Sequence, residues 1–408
     1  PESGNDLLND TKTRQRLAYD ELLANQLALG LVRLKQKKQQ GRSLSINNSL
    51  RQSLLNILPF ELTGAQQRTL AEIDEDMTSP DRMMRLVQGD VGSGKTIVAA
   101  LAMLTALENG AQAALMAPTE ILARQHAQTL APLLEKIGVR MVTLTGRDKS
   151  RQREIIVQQI KNGAAQIVIG THALFQKEIE FADLGLTVID EQHRFGVHQR
   201  MQLSSKGKNA DVLVMTATPI PRTLSLTAYG DMEVSRIDEK PPGRKPIDTR
   251  ILSNERIPEI IESLRKKIEK GSRIYWVCPL VEESEILDVS AAQERFEVLE
   301  HYLPERVGLV HGKLKPDEKD DVMYKFANGE LDILVATTVI EVGVNVPEAT
   351  IMVIEHAERF GLAQLHQLRG RVGRGSDKSF CFLIHAGKLG DTAKERLRVM
   401  RQTEDGFL

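Results

Sequence analysis

The sequence is poor in cysteine: two in 408 residues, Cys278 and Cys381, far apart and in no CxxC pair. That excludes a disulfide framework and fits a reducing compartment. Aromatic residues make up 4% of the chain and Trp276 is its one tryptophan, which argues against an aromatic-rich sandwich or a membrane barrel. No apolar run reaches the ~18 residues that a membrane helix needs, and no signal peptide opens the chain. The expectation is a cytoplasmic protein with no membrane partner. The nine histidines are scattered, without cysteine or HxxxH partners, so zinc is not expected. A surplus of one charge is missing too. With 54 basic and 55 acidic residues the formal net charge is −1, unlike a wholly basic nucleic-acid coat or an acidic, disordered chain. The first residue is Pro1 rather than Met, so the chain is expected to be a piece of something longer.

What is present reads as globular. Hydrophobic residues make up 41% and charged residues 27%, ordinary values for a folded domain. At roughly 150 residues per domain the length predicts two to three domains. Leucines at helical spacing (Leu17, Leu22, Leu23, Leu27, Leu29, Leu31, Leu34) predict one long helix from Arg14 to Lys38, and residues 1–58 are expected to form a helical strut. From Pro59 short apolar runs alternate with helical stretches. Strands are predicted at Met84–Gln88, Ala113–Ala117, Arg140–Leu144, Ile167–Gly170, Leu186–Ile189 and Val212–Thr216. The alternation stops at Asp238–Pro246, where three prolines and a glycine suit neither a helix nor a central strand. It resumes with strands at Arg273–Cys278, Val307–Val310, Ile333–Thr337, Ile351–Ile354 and Phe380–Ile384. This is the pattern of parallel sheets covered by helices. The expected division is a strut (1–58), a first α/β domain (59–237), a hinge linker (238–248) and a second α/β domain (249–408).

The strand ending at Gln88 runs into Gly89-Asp90-Val91-Gly92-Ser93-Gly94-Lys95-Thr96 and then an apolar helix. The spacing is GxxxxGK(S/T) between a strand and a helix. Its glycines allow backbone N–H groups to face phosphate oxygens, and the helix N-terminus adds its positive dipole end. Lys95 is expected to reach the β- and γ-phosphates and Thr96 to place its hydroxyl on Mg²⁺. A matching acidic pair follows the strand Leu186–Ile189. Asp190 would hold Mg²⁺ and Glu191 would orient or deprotonate the attacking water, with His193 close by. The expected cofactors are ATP and Mg²⁺.

In the second half, Arg369, Arg371 and Arg374 fall within six residues, flanked by glycines. Arg371 and Arg374 are read as arginine fingers delivered to a triphosphate from the other domain, an effect worth ~10³–10⁵ in rate. ATP would then lie in the cleft, and hydrolysis would work the hinge as a motor. The near-neutral total also hides two strips. Residues 359–401 carry ten basic and three acidic side chains, whereas residues 280–305 carry one and eight. The basic strip suits a phosphate backbone, though a partner protein could use it as well.

Together Gly89–Thr96, Asp190–His193, Thr216-Ala217-Thr218 and Gln367–Arg374 resemble a superfamily 2 helicase motor, which implies two tandem RecA-like domains. A narrower resemblance lies in Asp190–Arg200, Thr216–Leu224, Tyr275–Ser284, Pro241–Pro246 and Thr337–Pro347. These segments resemble the bacterial RecG branch-migration helicases, over about residues 15–408. The transcription-repair coupling translocases share the run beginning at Thr216 but are less similar around the hinge.

The resemblance implies further roles. Gln66, in Leu62-Thr-Gly-Ala-Gln66, would read the adenine edge, although a helix cap with Thr63 is an alternative. Pro118, Thr119, Arg124, Thr145, Gly146, Thr171, His172 and Thr337 would grip DNA phosphates. Thr216 and Thr218 would couple that grip to the nucleotide. His193, Gly343, Asn345 and Gln367 would face the nucleotide, Asn345 standing where many superfamily 2 members have Asp. It also implies a monomeric, nucleoid-associated double-stranded-DNA translocase acting on forks, Holliday junctions and duplex, with a possible contact to single-stranded-DNA-binding protein. The fork-splitting wedge domain and the C-terminal hairpin of the family are missing from these residues, so the chain reads as the motor portion. An RNA helicase, or a scaffold with a nucleotide switch, are the competing readings.

Overall fold

The computed structural model describes residues 12–37, 41–146, 150–176, 178–190, 209–217, 232–239, 245–279, 285–337, 346, 348–373 and 377–403. Helix α1 (Lys12–Lys37) leads the chain, with Leu17, Leu22 and Leu27 each more than half exposed. Helices α2 (Ser49–Ile57) and α3 (Gly64–Thr78) follow. Arg51 fixes α2 in place. Its guanidinium donates twice to Asp74 on α3, at 2.7 and 2.5 Å, and once to the Leu101 carbonyl at 2.9 Å.

The first sheet comprises β1 (Met84–Gly89), β2 (Gln112–Met116), β3 (Met141–Leu144), β4 (Ile167–Gly170), β5 (Leu184–Asp190), β6 (Asp211–Thr216) and β7 (Glu233–Ile237), in the order β3-β4-β2-β5-β6-β1-β7. Every pairing is parallel. Its helices include α4 (Lys95–Glu108), α5 (Glu120–Lys136) and α6 (Ser150–Lys161). Residues Ile97 to Leu107 of α4 are all buried, which accounts for a helix apolar on every side. Side chains alternate between the faces of the sheet. Val87, Leu115, Val188 and Leu213 join the core under α2–α5, whereas Leu86, Met116, Ile189 and Val214 form a separate cluster.

The second sheet holds β8 (Asp248–Ser253), β9 (Arg273–Val277), β10 (Val307–Val310), β11 (Ile333–Ala336), β12 (Ala349–Ile354) and β13 (Phe380–His385), in the order β10-β11-β9-β12-β13-β8, again all parallel. Around it lie α7 (Ile257–Ile268), α8 (Glu285–Tyr302), α9 (Pro316–Asn328), α10 (Leu362–Arg369) and α11 (Asp391–Gln402). One face packs on α7 and α8, the other on α9, α10 and α11. Trp276 on β9 is fully buried, and its Nε1–H donates to Glu355, which also accepts from Arg295 of α8.

The expected architecture, two parallel-sheet RecA-like units after a helical lead, is the observed one. Sequence patterning misses β7 and β8. Both are edge strands at the ends of their sheets, and half-exposed runs such as Glu-Val-Ser-Arg-Ile lack the continuous apolar signature of a buried parallel strand. Strand β8 begins at Asp248, the last position read as linker. Among the described residues no helix is long and apolar enough to cross a membrane.

Candidate nucleotide and nucleic-acid site

The phosphate loop leaves the carboxyl end of β1 and enters α4 at Lys95. Gly92 and Gly94 adopt φ of +82° and +86°, a left-handed conformation that costs residues with a Cβ roughly 1–2 kcal/mol. Gly94 is the N-cap of α4 and supplies no side-chain cap, and a helix N-terminus of this kind suits an anion. A Cβ on Gly89 would sit 2.6 Å from Ser93 Oγ; close approach of the backbone demands glycine there. Lys95 Nζ donates to the carbonyls of Gly89 at 2.6 Å and Asp90 at 2.9 Å. The buried Ser93 hydroxyl has no hydrogen-bond partner among the described residues. These features fit a bound triphosphate: a polar, glycine-lined cradle with an orphaned hydroxyl and a cation at its rim.

Gln66 backs this cradle. With Thr63 it closes the capping box of α3, and its Nε2 donates to the Ser93 carbonyl at 2.8 Å. Strand order brings the acidic group alongside. Strand β6 lies between β5 and β1, pairing Asp190 with Met215 and Thr216 with Gln88. The ends of β5, β6 and β1 therefore place Asp190, Thr216 and the loop in a row on one carboxyl edge, the edge where open parallel sheets bind ligands. Asp190 Oδ2 accepts from His126 Nε2 of α5 at 2.7 Å. Sequence reasoning missed His126; the signal was a histidine in an otherwise leucine register on α5.

The segments assigned to DNA lie on the other half of the same edge, after β2, β4 and β3. Thr119, next to Pro118, caps α5 and accepts from the Leu122 N–H at 3.3 Å. Arg124 is exposed on that helix. Thr145 and Thr171, at the ends of β3 and β4, are buried, and the exposed His172 opens a short turn whose next residues, Ala173 and Leu174, are buried. A Cβ on Gly146 would lie 3.2 Å from Glu120 Oε1, so the segments around Thr119 and Thr145 adjoin. Arg153 of α6, also missed from the sequence, donates to the Thr145 carbonyl and to Gln176 Oε1, bridging two of these segments. On the second sheet Thr337 directly follows β11, buried, its hydroxyl without a partner among the described residues. Its N–H donates to Val310 at 3.2 Å. Beside it His311 follows β10, with burial first and Lys319 and Lys313 next holding its imidazole below the usual range.

The arginine-rich segment approaches the phosphate loop from the second unit. A Cβ on Gly370 would lie 3.4 Å from the Val91 side chain. Gln367 and Arg371 are buried at this junction. Arg369 serves the packing of its own unit, where its Nη1 donates to the carbonyls of Met400 and Thr403 and closes the end of α11. Glu191, His193, Thr218, Gly343, Asn345 and Arg374 lie outside the described residues.

Comparison with known proteins places this geometry. Residues 63–227 match the DEAD/DEAH box helicase model and residues 254–376 the helicase conserved C-terminal domain. The chain is 53% identical over 401 residues to the ATP-dependent DNA helicase RecG of Haemophilus influenzae, and 51% identical over 397 to that of Bacillus subtilis. Each alignment covers 97% of this chain and 58% of the relative, so the chain spans under two thirds of their length. A solved structure of RecG bound to a three-way DNA junction superposes with a TM-score of 0.86 at 46% identity, covering 97% of this chain and 52% of that one.

Proposed function

Because the chain belongs to the RecG family of ATP-dependent DNA helicases, we propose that it is an ATP-driven double-stranded-DNA translocase that remodels forks and Holliday junctions in recombination and repair. The observation that carries this reading is the shared carboxyl edge. The phosphate loop, Thr216 and Asp190 occupy one half of it, and the segments after β2, β3 and β4 occupy the other.

On this reading the amides at the start of α4 and the Lys95 ammonium bind the triphosphate, and Gln66 braces the loop. Thr96 and Asp190 would hold Mg²⁺, which when bound neutralises charge on the phosphate oxygens. Glu191 takes the role of orienting the attacking water. Arg371 and Arg374 would act as arginine fingers on the phosphates; the proximity of Gly370 to Val91 supports Arg371 in that role. His193, Gly343, Asn345 and Gln367 complete the nucleotide side. The DNA backbone lies along Pro118, Thr119, Arg124, Thr145, Gly146, Thr171, His172 and Thr337, and Thr216 and Thr218 link the two halves. Branch migration re-forms as many base pairs as it breaks, so hydrolysis supplies direction rather than net melting, each base-pair step being worth ~1.4 kcal/mol on average.

The test is ATP turnover with duplex DNA, forked DNA and structured RNA, each at two salt concentrations, because backbone binding weakens steeply with salt. Strong stimulation by DNA is expected. Stimulation by RNA alone would overturn the DNA reading, and no turnover at saturating nucleic acid would favour a nucleotide-switched scaffold. Sedimentation of the same sample, expected to show a monomer, and its binding to single-stranded-DNA-binding protein test the two remaining partner expectations.

A further inference from the structure

Leu122, His126, Leu130 and Leu134 recur every fourth residue along the buried face of α5. An imidazole in a leucine register costs free energy unless its polar atoms are bonded. Here the bond goes to the Asp190 carboxylate at 2.7 Å, with the two side chains 11% and 10% exposed. Two facts distinguish this from an ordinary satisfied core histidine. Its partner is the strand-end carboxylate of the nucleotide edge, and its helix begins at the cap residue Thr119, in the segment assigned to DNA.

We propose that His126 is a positioning residue that couples DNA held at Pro118–Thr119 to the Asp190 carboxylate, and so to nucleotide and Mg²⁺ binding. This rests on the reading of the chain as a DNA-dependent ATPase. With Asp190 ionised, Nε2–H donates to Oδ2 and fixes the carboxylate rotamer. Seven residues of helix separate Thr119 from His126, about 10 Å at 1.5 Å per residue. A rigid helix of that length transmits a small shift at its first turn to the imidazole. Outer hydrogen-bond partners of metal-holding side chains are commonly worth 10–100-fold in metal affinity. Because coupling between two binding sites is reciprocal, DNA would change Mg²⁺–nucleotide affinity by the same factor as Mg²⁺–nucleotide changes DNA affinity.

The experiment uses the 408-residue chain. Binding of fluorescent methylanthraniloyl-ADP is followed across a Mg²⁺ titration with and without duplex DNA, and duplex affinity is measured with and without Mg²⁺–nucleotide. In His126→Leu the Mg²⁺ midpoint should rise about 10–100-fold and the coupling factor should fall to about one in both directions. In His126→Gln, whose amide reaches nearly as far, both should recover in large part. If the Leu variant fails to fold, His126→Asn, too short to reach Asp190, set against the Gln variant gives the same contrast. A folded Leu or Asn variant with unchanged Mg²⁺ midpoint and coupling, differing only in melting temperature, would overturn the proposal. If the unsubstituted chain shows no coupling to DNA, the DNA-dependent reading falls and the coupling proposal with it. The Mg²⁺ midpoint then decides separately whether His126 positions Asp190.

Discussion

The side-chain amide of Gln66 is held at both ends: Oε1 accepts the Thr63 N–H at 2.9 Å, and Nε2 donates to the Ser93 carbonyl at 2.8 Å. One residue thus starts helix α3 and braces the phosphate loop. Gln66→Ala should lose both effects. A stability loss of about 1 kcal/mol is expected from the cap, and nucleotide affinity should fall by more than that loss explains. Gln66→Glu keeps the acceptor but sets a carboxylate against a carbonyl, so its affinity should fall further than its melting temperature. Isothermal binding and thermal unfolding of the two variants separate these effects.

Gly94 lies against that same amide. Its φ is +86°, and a Cβ there would sit 2.2 Å from Gln66 Nε2. Gly94→Ala should therefore cost about 1–3 kcal/mol of stability and weaken nucleotide binding severely. Gly110, at φ +77° with nothing within 4 Å, is the control. Gly110→Ala meets only the left-handed backbone cost of about 1–2 kcal/mol, with nucleotide affinity intact.

Lys95 Nζ sits at the mouth of the loop on the carbonyls of Gly89 and Asp90. Lys95→Ala should cut DNA-stimulated ATP turnover by about 10²-fold or more, the usual effect of removing a preorganised charge-stabilising donor. Glu191→Gln should abolish turnover as well. A steady-state phosphate-release assay reads both, and substantial DNA-stimulated turnover in either variant would refute the site assignment.

Asp211, at the amino end of β6, accepts the Met83 N–H at 2.8 Å, and burial pushes its carboxyl up to about 7. The folded chain therefore holds this proton over a range where the unfolded chain has released it. Its stabilising contribution is full below about pH 4 and is lost as pH rises to about 7. Asp211→Asn keeps an oxygen for Met83 and removes the charge. Its melting temperature should match or exceed that of the unsubstituted chain at pH 8, and that advantage should vanish toward pH 5. A melting-temperature series over this range checks the sign.

Local signals were enough for the phosphate loop and for the alternation of strands and helices. A GxxxxGKT run between an apolar strand and an apolar helix dictates its own backbone, through glycine conformations and helix-end amides that need no distant partner. Buried parallel strands likewise announce themselves as continuous apolar runs. The weakly patterned edge strands β7 and β8 did not, and the helix register of α5 marked His126 without saying what it met.

Residue type, spacing and periodicity determined two α/β units, a phosphate cradle at Gly89–Thr96 and an acidic strand end at Asp190. Tertiary structure alone decided that β6 lies between β5 and β1, so that Asp190, Thr216 and the loop share an edge. It also decided that Gln66 braces Ser93, that Arg153 bridges Thr145 and Gln176, that Gly370 abuts Val91, and that His126 meets Asp190 across 64 positions of sequence. The reason is physical. A backbone conformation is set by its nearest residues, whereas the neighbour of a strand end is set by the order in which crossover helices lay the strands down.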